Sequence, residues 1–72
     1  MNAFVHMTGP HPSAIRRGGK PASIWHGTIV SAQQGEPQTP VYKVFTYRRA
    51  VALSCDMARD RRLFLRMDAL PQ

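Results

Sequence analysis

Guanidinium groups are the chemistry this chain carries in quantity. Eight of its ten cations are arginine, and six of these (Arg48, Arg49, Arg59, Arg61, Arg62 and Arg66) fall within nineteen residues. A planar guanidinium fork binds phosphate through two parallel hydrogen bonds and stacks on flat rings, which an ammonium does less well. On a helix, Arg48, Arg59 and Arg62 share a side, a spacing suited to straddling a phosphate backbone. A second basic segment, Arg16-Arg17-Gly18-Gly19-Lys20, has the composition of a flexible phosphate-gripping arm. Trp25, Tyr42, Phe45 and Tyr47 add rings that suit base stacking, a protein partner or the core. Phe64 reads as core or as a partner contact on the same grounds.

Other chemistry is sparse. His6, His11, His26 and Cys55 are the whole supply of soft metal ligands, and their spacing matches no zinc motif. Cys55 with His26 lacks a third orienting group, and Cys55 reads as a small buried hydrophobe beside Leu53 and Met57. A phosphate-binding loop is excluded, because Gly19-Lys20 is followed by Pro21 and Ala14 stands where its first glycine belongs. Only four acids exist, and three of them (Asp56, Asp60 and Asp68) are interleaved with arginine. The expectation is a non-enzymatic protein without a cofactor or a metal.

The balance of composition supports a basic binding module. The chain has 72 residues and a formal net charge of +6, of which residues 1–40 contribute +2 and residues 41–72 contribute +4. Apolar residues make up 43% of it, too many for full disorder and too few for a membrane span. A single cysteine cannot staple a secreted mini-protein, and Met1–Val5 lacks the charged start of a secretory signal. The proline content of residues 1–22 argues against a transit peptide as well, which leaves a cytoplasmic location as the expectation. Either Met1 or Met7 suits a start.

The elements that must position these residues follow from the punctuation. All five glycines and five of the six prolines lie in residues 1–40, and residues 41–70 contain neither. Residues 1–22, with Gly9-Pro10-His11-Pro12 and Arg17-Gly18-Gly19-Lys20-Pro21, read as a disordered basic arm, and 23–70 as one small α+β domain. Ile24–Val30 reads as a strand with Trp25 and Ile29 on one face, Ile24, His26, Thr28 and Val30 on the other, and Gly27 marking a bulge or a close backbone approach. Ser31–Pro40 reads as a polar loop and Val41–Tyr47 as a second strand, antiparallel to the first.

Thr46 is a suitable N-cap for a helix over Arg48–Asp60 that buries Ala50, Leu53, Met57 and Ala58. Leu63, Leu65 and Met67 alternate with Phe64, Arg66 and Asp68, as a third strand requires, yet no glycine closes the helix at Asp60-Arg61-Arg62. The leading order is ββαβ, with one long C-terminal helix and an all-β chain as alternatives.

About fifty ordered residues sit near the limit of independent folding, and strands apolar on both faces make a homo-oligomer the working expectation. Two readings of function follow. The first is RNA or DNA binding through Arg48, Arg49, Arg59, Arg61, Arg62 and Arg66, with Arg16, Arg17 and Lys20 assisting. The alternative is an accessory protein that dimerises or docks through an exposed apolar edge of strand 24–30 or 41–47, with Trp25 and Phe45 as anchors.

Overall fold

The computed structural model describes residues 3–31 and 39–72. Four strands and one helix follow in the order β1 (Ala3–Arg17), β2 (Lys20–Ser31), β3 (Tyr42–Val44), α1 (Tyr47–Arg61) and β4 (Phe64–Ala69). The strands form one mixed sheet in the order β3-β2-β1-β4, and the α+β class holds for this single small domain. β1 pairs antiparallel with β2, β2 antiparallel with β3, and β1 parallel with β4.

Residues 3–17, part of the expected disordered arm of 1–22, are instead strand β1, an inner strand of the sheet as far as Gly9. Val5 and Met7 are fully buried, while Phe4, His6 and Thr8 alternate with them on the opposite face, so a period of two runs through this segment. The prolines that marked this segment as an arm fall where they do little harm to a strand. Pairing of β1 with β4 ends at Gly9↔Ala69, so from Pro10 onward β1 has a partner on one side only. The ladder to β2 also shifts register between Thr8 and His11, which takes up Pro10, and again between Pro12 and Arg16, so that Pro12, opposite Ser23, borders the second irregularity. Gly18 and Gly19 then form a two-residue hairpin turn with φ of 61° and 80°, the positive values that a type I′ turn needs. Arg17 and Lys20 face each other across it. The order is therefore βββαβ rather than ββαβ.

The later elements follow the sequence more closely. β2 contains Ile24–Val30 and pairs antiparallel with β3, although β3 keeps only Tyr42–Val44 of the expected second strand. Tyr47 already belongs to the helix. Thr46 caps that helix from extended geometry (φ −131°, ψ 144°), its Oγ1 accepting from the Arg49 amide at 3.2 Å. The helix ends without glycine because Arg62 takes the left-handed cap itself (φ 55°, ψ 46°), and the Leu63 amide donates back to the Ala58 carbonyl at 2.9 Å. Residues 64–69 are then free to run as β4, so neither the long-helix nor the all-β alternative holds. The loop expected at Ser31–Pro40 lies largely outside the described residues.

The helix covers one face of the sheet. Val5 packs with Met57 and Ala58, and Met7 with Trp25 and Ala50, with Tyr42 and Leu65 bordering both groups. The buried helix positions are Ala50, Ser54, Met57 and Ala58, so the inward stripe includes Ser54 where Leu53 was expected. Ser54 is tolerated there because its hydroxyl bonds to the Tyr42 hydroxyl, which also donates to the Ala50 carbonyl at 2.9 Å. Cys55, one position on, turns about 100° away from that stripe and is exposed, contrary to its expected burial. Gly27 marks a close approach, as expected: a Cβ there would occupy the space of the Tyr42 ring.

Candidate nucleic-acid interface

The ten cations do not share one face. β1 and β2 carry Arg16, Arg17 and Lys20 to the hairpin tip, where all three are exposed. β3 runs antiparallel to β2 and so points toward the same end, which brings the start of α1, with Arg48 and Arg49 exposed in its first turn, to the side of the tip. The two groups meet at Phe45, whose half-exposed ring lies 5.1 Å beneath the Arg17 guanidinium carbon. Arg16 is held on its own turn by a hydrogen bond from Nη2 to the Gly19 carbonyl. Five cations and one accessible ring therefore gather at one end of the molecule.

The remaining arginines lie at the other end of the helix and on β4. Arg59 donates to Asp56 at 2.9 Å, and Arg66 donates through Nε to Asp68 at 2.9 Å. Arg61 and Arg62 are exposed around the helix C-cap. Arg48 and Arg59 both lie in the helix at the spacing that puts them on one side, but Arg62 does not continue their stripe. Eleven residues separate Arg48 from Arg59, roughly 16 Å along the axis. Arg62 has left helical geometry altogether.

All three described acids belong to this second group. Asp56 and Asp60 lie in the later half of α1, and Asp68 lies on β4, where its Oδ2 accepts from His6 Nε2 at 2.7 Å as well as from Arg66. The hydrogen bond from His6, with Arg66 beside it, holds the Asp68 carboxyl below its ordinary range. The tip and helix start hold no described Asp or Glu. Electrostatically this is the unusual end, because the first turn of a helix already carries partial positive charge and Arg48 and Arg49 add to it, with no acid in that turn.

The four aromatic residues expected to stack on a partner separate in the structure. Trp25 is 2% exposed, its indole N–H donating to the Leu70 carbonyl at 3.2 Å, so it belongs to the core. Tyr42 is held under the helix by its hydroxyl, and burial pushes its pKa up against the opposing pull of the Ser54 hydrogen bond. Tyr47 packs edge-on to Trp25 with ring centroids 6.3 Å apart. Phe45 is the member of this set that stays exposed. Phe64, read from the sequence as core or as a partner contact, is not core: it stands 84% exposed on the sheet face away from the helix. Its parallel pairing with Phe4 could have been found only by knowing that residues 3–9 are a strand.

The histidines lie on β1 and β2 of that same open face. His11 and His26 stack with centroids 4.3 Å apart, and His11 also bonds to the Thr8 hydroxyl at 2.8 Å. His26 Nε2 is enclosed with no hydrogen-bond partner among the described residues. Burial first, then the neighbouring His11 and Lys43, lower the pKa of His26. Among the described residues no group of three or more His, Cys, Asp or Glu side chains is arranged to hold a metal ion. No described helix is long and apolar enough to cross a membrane. The chain matches no protein-family model, no curated protein and no solved structure.

Proposed function

We propose that this protein is a non-enzymatic module that binds the phosphate backbone of nucleic acid through its basic end. The observation that carries the reading is the contact of Arg17 with Phe45, which ties the hairpin tip bearing Arg16, Arg17 and Lys20 to the helix start bearing Arg48 and Arg49, an end with no described acid. Arginine forks at a hairpin tip reach phosphates bidentately, and a two-stranded ribbon has the width that a duplex major groove admits. Phe45 offers a stacking surface at the same place. Arg59 and Arg66 contribute less, because each already engages an aspartate. This narrows the arginines expected from sequence to those of one end.

Fluorescence anisotropy with a labelled mixed-sequence oligonucleotide at near-physiological salt tests the reading. Reversal of Arg16, Arg17 and Lys20 to glutamate should abolish binding, while reversal of Arg61 and Arg62 should weaken it much less. Equal loss from both variants would mean nonspecific polycation behaviour and would overturn the assignment to this end.

A further inference from the structure

The sheet has two edges, and they are unequal. β3 presents only Tyr42–Val44, whereas β4 presents Phe64–Ala69 with no strand beside it among the described residues. The strand 24–30, an expected docking edge, is interior, between β3 and β1. The Leu70 amide donates to Gly9 of β1 at 3.0 Å, so by strand alternation the amides and carbonyls of Leu65, Met67 and Ala69 point away from the sheet. Such a row is a template for another strand, and it is flanked by exposed apolar residues: Phe64 at 84%, Leu70 at 70% and Met67 at 42%.

We infer that the occupant of this edge is a second copy of the chain, with β4 pairing antiparallel to its own equivalent about a two-fold axis at Met67. The edge is self-complementary in that register. Phe64 stands opposite Leu70 of the other copy, Leu65 opposite Ala69, and Arg66 opposite Asp68, with each pair on one face. Met67 meets itself in a hydrogen-bonded pair, so every outward amide and carbonyl of Leu65, Met67 and Ala69 finds a partner. A register centred on Arg66 or Asp68 would instead set like charges opposite each other. Within one chain Arg66 uses Nε and Asp68 uses Oδ2, which leaves the arginine Nη groups and Asp68 Oδ1 for the cross-copy contact. The resulting sheet would have eight strands.

Sedimentation equilibrium of the full chain at tens of micromolar should give twice the 8.1 kDa chain mass. Arg66→Asp places like charges across both ends of the seam and should raise the dissociation constant about tenfold or more, and adding Asp68→Arg should restore it. In a Cys55→Ser background, Met67→Cys should oxidise to a covalent dimer, because residue 67 faces its own copy at disulfide range, while Phe64→Cys should not. An 8.1 kDa species throughout would overturn the proposal. So would a dimer indifferent to Arg66→Asp, or cross-linking through position 64 as readily as 67.

Discussion

At the residue scale, stability turns on a few side chains that the sheet and helix trap between them. Trp25 is the largest of these, so Trp25→Ala should cost about 3–5 kcal/mol, read as a lowered urea midpoint with an unfolded far-UV spectrum under mild conditions. Any binding lost in that variant would reflect unfolding rather than a missing partner contact. Arg62 holds a left-handed backbone that glycine adopts without penalty, so Arg62→Gly should raise stability by about 0.5–1 kcal/mol in the same assay. His26 gives the chain a pH dependence. Its pKa is lowered in the folded state, so the unfolded chain takes up the proton first. The stability that its neutral form contributes is present above about pH 6.5 and is lost as the pH falls through the lower folded value. Urea midpoints should drop between pH 7.5 and 5, and His26→Gln should flatten part of that fall.

At the element scale, the helix and its cap were legible because their signals are local. Thr46 sits before an unbroken run without glycine or proline, and Thr46→Ala should cost about 1 kcal/mol, measured as a lower midpoint of thermal unfolding. β1 was not legible, for a physical reason. Gly9, Pro10, Pro12, Gly18 and Gly19 carry linker signals, and what overrides them is pairing with β2 on one side and with the distant β4 on the other. Neither partner is visible from residues 3–17 alone. Local chemistry also misplaced Cys55, since the inward helix stripe is set by the Tyr42 hydroxyl that accommodates Ser54. β4 was half legible: its alternation was plain, but its onset depends on Arg62 accepting a conformation that glycine usually supplies.

At the scale of the whole molecule, the arginines were legible as a residue type and not as a site. Their grouping depends on a hairpin that carries Arg16, Arg17 and Lys20 across to Phe45 and the start of the helix. The long dimension of the molecule, 44 Å against 25 and 16 Å, reflects that hairpin. The functional reading predicts that binding is governed by charge at one end, and the salt dependence of affinity measures that most directly. Each phosphate neutralised adds about −0.7 to −0.9 to the slope of log K against log salt. Removing Arg16, Arg17 and Lys20 together should make the slope shallower by roughly two units, with the affinity falling in step. A variant lacking all three that binds with the slope of the unaltered protein would contradict the assignment of the basic end.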